Sequence, residues 1–429
     1  MVSLLPLLAC SGEPELTGPP DVVVVVVSGL RADTTEVPAE SALYRGLGHP
    51  PALRFSAAYA QSCSLYTSMG SLLTGRYPSA IPLCNILNTN APQPKSAEQP
   101  WCTTIPESTW TIPKVLSVYG YRTGITIADS DHTRRTNWRS LREQVSDWWN
   151  ADTASPRLYF VQTLDLHMIQ YDTLAGFDPQ DPNLERRSET SQKDVLRASY
   201  VEHAEMIGEE LARLLAVLPA SDDRPRQIWL TSTNGISLQE ESGVSSDHLK
   251  AATNNIIIDR TIHVPLALLE ASTTPKVDTD RVVELTDLLP TLVAGAGAVL
   301  PAGLHGHDLL SAQDDASPWA YAEFGDMLAI RESRLLLTFR FFLHNKSSMD
   351  PRLTEGLLKS SEGSHFYALH DVQTDPMQER NRLKEDLEQA AALRQRMITV
   401  RTELGTPPPE SMTAEQLESI QLGPAQGYW

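Results

Sequence analysis

One run of residues near the start of the chain, Asp21–Val27, limits the possible folds more than any other stretch. It reads DVVVVVV, and an unbroken β-branched run of this kind is typical of a strand that is buried on both faces of a parallel sheet. The run ends at Ser28-Gly29. Ligands of open α/β sheets bind beyond the carboxyl ends of the strands, so we expect Ser28 and Gly29 to face the functional cleft.

Strand and helix patterns alternate after this run. Further strands are predicted at 123–128, 158–164, 227–232 and 264–269. Amphipathic helices are predicted at 108–121, with Ser108 at the start and Gly120 at the end, and at 193–218. This βα alternation predicts an α/β domain with a largely parallel sheet.

The pattern changes near Trp319, where short apolar segments begin that are typical of an antiparallel sheet. A helix from about Leu383 to Leu404 is expected to pack on that sheet. The expected organisation is a tether, an α/β domain, a C-terminal α+β subdomain and a loose tail, at 1–20, 21–315, 316–405 and 406–429.

The charge of the chain argues against some partners. Lys and Arg total 35 against 54 Asp and Glu, which gives a formal net charge of −19 among 429 residues. Such a charge repels nucleic acid, so we expect no nucleic-acid partner. No stretch is long and apolar enough to predict a transmembrane helix.

The stretch from Cys63 to Pro78, CSLYTSMGSLLTGRYP, predicts a short buried helix that Gly75 closes and Pro78 stops. It resembles the signature of the sulfatase and alkaline-phosphatase superfamily, in which a Cys, Ser or Thr nucleophile lies about ten residues before the Gly of LLTG. That register falls on Leu65. A leucine side chain cannot attack a sulfate or phosphate ester.

The resemblance extends from Asp21 to about Leu404 and includes the Leu-Arg-Ala-Asp run after Gly29. It implies a mostly parallel central sheet with helices on both faces, followed by a small C-terminal antiparallel sheet with a helix. It also implies a divalent metal, which lowers the pKa of the nucleophile and neutralises charge on the transferred group. The positions that match the family's metal ligands are all neutral here: Ser28, Gly29, Thr233 and Asn234. Neutral groups hold a dication poorly, so we expect no metal cofactor.

Hydroxyl groups close to Leu65 remain candidate nucleophiles. Ser64, Thr67 and Ser68 lie at the predicted start of the helix, where Ser and Thr more often serve as caps. Cys63 lacks the Cys-x-Pro-x-Arg context of a formylglycine precursor.

Two histidines also match family positions. His167 falls on the ester-binding histidine and is either a hydrogen-bond donor to a bound anion, or a general acid, or a structural side chain at a strand end. His248 could correspond to a family histidine in a later loop. A loop cluster of Asp129, Asp131 and His132 could bind a cation, but it is more simply explained as turn chemistry.

The N-terminus carries a Leu-Ala-Cys sequence that ends at Cys10 and resembles the lipobox of bacterial lipoproteins. This predicts a lipid attached to Cys10 and a location in the bacterial cell envelope; the alternative is a frayed N-terminus. A disulfide between Cys84 and Cys102 is expected, with Cys63 left free.

Two functions fit these residues. The first is a sulfatase-fold pseudoenzyme that binds a ligand or partner through the former active-site cleft, formed by Ser28, Gly29, Leu65, His167, Thr233 and Asn234. The second is a sulfuric or phosphoric ester hydrolase with an unconventional centre, for which the catalytic candidates are Ser64, Thr67, His167 and His248.

Overall fold

The computed structural model describes most of the chain outside its two ends and several internal segments. The described residues are 18–32, 38–81, 105, 108–127, 136–166, 189–221, 223–238, 256–270, 277–311, 318–324, 327–340 and 367–404.

The larger sheet of the described chain has seven strands. In chain order these are β1 Asp21–Val27, β2 Leu53–Tyr59, β3 Arg122–Ile127, β4 Arg157–Thr163, β5 Arg226–Thr231, β6 Leu266–Glu270 and β7 Val277–Glu284. Their order across the sheet is β3-β4-β1-β5-β6-β2-β7. Only β6 runs antiparallel to its neighbours among these strands, so the sheet is mostly parallel. The predicted fold class is confirmed.

Helices cover both faces of this sheet. The described helices of this part of the chain are α1 Ala39–Leu47, α2 Leu65–Thr74, α3 Ile112–Val118, α4 Trp138–Ala151, α5 Glu189–Leu215, α6 Asp259–Ile262 and α7 Leu288–Gly295. Successive side chains of a strand point to opposite faces. The odd-numbered valines of β1 accordingly pack with α1, α4 and α5, and the even-numbered valines with α2, α3 and α7. This explains why β1 carries no polar alternation.

A second, antiparallel sheet follows. Its strands are β8 Trp319–Phe324, β9 Met327–Glu332, β10 Leu335–Arg340 and β11 Tyr367–Asp371, in the order β11-β10-β9-β8. The last described helix, α8 Leu387–Glu403, packs on this sheet, and Met397 joins a core that contains Phe339 and Tyr367. The small C-terminal sheet and its helix were both predicted.

Several predicted boundaries differ from the structure. Helix α3 begins at Ile112, because Thr111 rather than Ser108 provides the N-cap by accepting from Lys114 N at 3.4 Å. Helix α5 begins at Glu189, before the predicted start at 193. The sequence patterns did not predict α1, β2, α4 or β7. No helix in the described ranges combines the length and apolar character needed to cross a bilayer.

Candidate functional site

The carboxyl ends of β1 and β5 meet at one edge of the large sheet. Gly29 and Gly235 form a parallel bridge beyond the strand ends, and Gly29 N donates to Asn234 O at 3.0 Å. Gly29 has a φ of 89°, a conformation that favours glycine. A Cβ on Gly235 would lie 2.0 Å from the carbonyl oxygen of Arg260. Both glycines therefore let the chain segments of this edge approach each other closely.

Four polar side chains form a continuous hydrogen-bonded network at this edge. Gln162 Nε2 donates to Ser28 Oγ at 2.9 Å. Thr233 Oγ1 lies 3.1 Å from Ser28 Oγ and 2.9 Å from Asn234 Oδ1, and Asn234 Nδ2 donates to Gly235 O at 2.8 Å. We call these four residues, Gln162, Ser28, Thr233 and Asn234, the neutral network.

The neutral network is closed to solvent. Ser28, Thr233 and Asn234 have no exposed surface, and Gln162 is 3% exposed. This burial gives no support to the prediction that Ser28, Gly29, Thr233 and Asn234 face a functional cleft. Their burial is physically acceptable because buried polar groups lose little when they hydrogen-bond to one another.

The role of Gln162 was not predicted from the sequence. This residue lies in β4, RLYFVQT, a strand that is buried along its whole length and in which Gln162 directly follows the run Leu-Tyr-Phe-Val. A single amide in such a strand must find a partner inside the protein. That signal was present in the sequence, although the partner could not be read from it.

The residues at this edge do not suit a divalent metal. Hard cations prefer several oxygen ligands that include carboxylates, and the network offers two hydroxyls and two amides whose polar atoms already bind each other. Within the described ranges, no group of three or more His, Cys, Asp or Glu side chains is placed to hold a metal ion.

The segment before α2 holds the position of the family nucleophile. Leu65 is the first residue of α2 and Ser64 is its N-cap residue, but the Ser64 side chain caps no backbone N–H. The explanation of Ser64 as a side-chain cap is therefore wrong. Ser68 Oγ instead donates to Ser62 O at 2.7 Å, and Thr67 is 7% exposed. Among the three hydroxyl candidates, Ser64 is the most accessible.

Cys63 lies one residue further back and is free and completely buried. It packs in an apolar cluster with Tyr59, Ile257 and Ile262. Burial raises the pKa of its thiol far above the ordinary value. Since the thiolate is the reactive form, Cys63 is unsuited to nucleophilic attack at neutral pH.

The carboxylate that follows β4 has a structural position. Asp165 accepts from Thr136 N at 2.8 Å and from Trp138 Nε1 at 3.0 Å, so it holds the start of α4 against the strand end. The other expected site residues lie outside the described residues and their placement stays untested. They are Cys10, Cys84, Cys102, Asp129, Asp131, His132, His167 and His248.

Comparison with solved structures identifies this fold. A 2-O GAG sulfatase superposes with a TM-score of 0.62 and 15% identity, covering 94% of this chain and 100% of the other. The phosphonate monoester hydrolase of Silicibacter pomeroyi gives 0.61 and 14%, with 89% and 95% covered. That of Agrobacterium radiobacter gives 0.60 and 13%, with 90% and 96% covered.

No protein-family profile matches the sequence, and no curated protein matches it either. Identities this low establish the fold alone. The chain therefore has the fold shared by sulfatases and phosphonate monoester hydrolases, as the LLTG stretch predicted.

Proposed function

We propose that this chain is a non-catalytic sulfatase-fold protein of the bacterial envelope that binds a ligand or a partner at the former active-site position. The observation that carries the proposal is the neutral network. It lies at the strand ends, where the positions that match the family's metal ligands are found, and its side chains hydrogen-bond to each other.

The chemistry of ester cleavage supports this reading. Attack on a sulfate or phosphonate ester needs a nucleophile and a positive centre that neutralises the developing charge. Leu65 supplies no reactive atom, and Cys63 is buried as the thiol. The accessible residues at the start of α2 are the half-buried Ser64 and Leu65 and the exposed Tyr66, so these would form the binding surface.

One observation favours the alternative, an ester hydrolase with an unconventional nucleophile. Ser64 sits at the N-terminus of α2 without using its hydroxyl as a cap. A helix N-terminus stabilises negative charge, which would help Ser64 act on an anionic ester if His167 or His248 served as base.

Metal analysis and turnover assays together separate the two functions. Purified protein would be dialysed against calcium, magnesium, manganese and zinc, and its bound metal measured by elemental mass spectrometry. The non-catalytic proposal expects substoichiometric metal and no hydrolysis of 4-nitrophenyl sulfate or of a phosphonate monoester.

A stoichiometric ion that is lost in His167→Ala or His248→Ala would overturn it. So would turnover that Ser64→Ala abolishes while Ser41→Ala, a change at an exposed serine of α1, retains it.

The envelope location rests on Cys10 and has a separate test. In a bacterial host, metabolic labelling with radioactive palmitate should label the wild-type protein. Cell fractionation should find that protein in the membrane fraction. Cys10→Ala should lose both label and membrane association, whereas Cys84→Ala should keep both. An unlabelled wild-type protein would contradict lipid attachment.

A further inference from the structure

A cavity of about 480 Å³ lies between the large sheet and the small sheet, apart from the neutral network. Its walls come from strands β2, β7 and β9, the segment after β1, the region around α6, and the turns that follow β9 and β11. Ser28, Gly29, Leu65, Thr233 and Asn234 do not line it. We call it the arginine cavity, because five arginines line it: Arg31, Arg54, Arg260, Arg331 and Arg334.

The arginine cavity is positive in a strongly negative chain. Two aspartates, Asp259 and Asp280, share the wall with the five arginines, so the wall has a net charge of +3 (5 − 2) with its histidine neutral. Two of these arginines are paired with carboxylates that lie behind the wall: Arg54 with Glu40 and Arg334 with Asp371. The whole chain has a net charge of −19.

Ion pairs fix the direction of several of these guanidinium groups. Arg54 makes two bonds of 2.8 Å to the carboxylate of Glu40. Arg331 Nε lies 2.6 Å from Asp259 Oδ1, and the Arg331 guanidinium stands 5.2 Å from the centre of the Tyr59 ring. Side chains held in this way lose little further entropy when they bind a ligand. The cavity is therefore preorganised.

We propose that the arginine cavity binds a small phosphate ester. Planar guanidinium groups match phosphate oxygens in charge and geometry. The volume falls within the range of about 300–1,000 Å³ of small-molecule sites and exceeds what a bare phosphate ion fills. The wall also has polar side chains, among them Ser333 and Gln373, that suit a hydroxylated body. The ligand class is thus a compact polar phosphate ester, of the size of a sugar phosphate.

The test uses glucose 6-phosphate as the probe and glucose as the uncharged comparison, by isothermal titration calorimetry at constant ionic strength. The wild type should bind glucose 6-phosphate saturably and glucose not at all. Arg334→Gln should weaken binding by roughly tenfold to a hundredfold, the usual size of one charge-assisted contact. Asp280→Asn, which removes a negative charge from the wall, should strengthen binding by roughly twofold to fivefold.

Arg45→Gln is the matched control. Arg45 and Arg334 are similarly exposed, at 54% and 52%, and each lies near one carboxylate, Glu205 and Asp371. Circular dichroism confirms that each variant is folded before the titration. Absence of wild-type binding would overturn the proposal, as would equal weakening by Arg334→Gln and Arg45→Gln, or weaker binding in Asp280→Asn.

Discussion

The hydroxyl groups of Ser28 and Thr233 lie 3.1 Å apart, and this contact joins the ends of β1 and β5. In an enzyme that holds a dication at this edge, two such positions would point their oxygens at the ion. Here they point at each other, and Asn234 Oδ1 lies 2.9 Å from Thr233 Oγ1 on the other side. The contact therefore joins two strands at positions that match the family's metal ligands.

Thr233→Val should destabilise the protein by about 1–3 kcal/mol, because it leaves the buried oxygen of Asn234 without its hydroxyl neighbour. Thr163→Val is the matched control at the same sheet edge. Thr163 is also fully buried, but its hydroxyl has no hydrogen-bond partner in the described part of the chain. Its loss should be neutral or stabilising. Urea unfolding at pH 7 measures both, and equal destabilisation would contradict the role given to Thr233.

The first residue of β1 forms a buried ion pair with the first residue of β4. Asp21 Oδ2 lies 2.5 Å from Arg157 Nη2, and neither side chain is more than 1% exposed. Asp21→Asn removes the charge that offsets a buried guanidinium, so it should cost about 3–5 kcal/mol. Glu205→Gln breaks the exposed pair with Arg45 and should cost less than about 1 kcal/mol. Denaturant unfolding measures both losses of stability, from the shift in midpoint where the dependence of the free energy on denaturant is unchanged. Similar losses for the two variants would count against a special role for the buried pair.

Much of the scaffold could be predicted because its signals are local. The valine run of β1 and the glycine closure of α2 each depend on a few adjacent residues, and both are confirmed: Gly75 ends α2 in the left-handed conformation. The neutral residues at positions 28 and 233 were also visible in the sequence. What they do there, bonding to each other across the sheet, depends on residues that are far apart in the chain.

The unpredicted features share that dependence on distant partners. Strand β6 pairs antiparallel with β2 and β5, and no local pattern in the sequence encodes that direction. Gln162 has meaning only beside Ser28. The arginine cavity gathers residues as distant as Arg31 and Arg334, and neither forms part of a basic run in the sequence.

A close contact between α1 and α5 gives a prediction about glycine. A Cβ on Gly208 would lie 2.1 Å from the carbonyl oxygen of Leu43, so the two backbones would have to move apart. Gly208→Ala should therefore cost about 1–3 kcal/mol, although alanine is the better helix former. Gly295→Ala is the control, since nothing lies within 4 Å of a Cβ there; it should be neutral or slightly stabilising. Thermal melting measures both, and a neutral Gly208→Ala would disprove the close contact.

A buried carboxyl at the end of β7 should make stability depend on pH. Glu284 accepts from Tyr77 OH, Tyr321 N and Gln61 Nε2, at 2.8, 2.8 and 3.2 Å. Burial, and then the negative charge of Asp287, raise the pKa of Glu284 to about 8, against the lowering effect of its donors. The folded state therefore holds a proton that the unfolded chain releases near its ordinary pKa of 4.5.

A raised pKa of this kind stabilises the folded state fully below pH 4.5, and the stabilisation is lost as the pH rises through about 8. The wild-type free energy of unfolding should fall by roughly 2 kcal/mol between pH 6.5 and pH 9, and Glu284→Gln should reduce that fall. Burial also raises the pKa of Asp287, to about 6. Most of the titration of Asp287 therefore lies below the measured range of pH 6.5 to pH 9. Urea unfolding at several pH values measures the slopes, and parallel slopes for wild type and variant would refute a protonated Glu284.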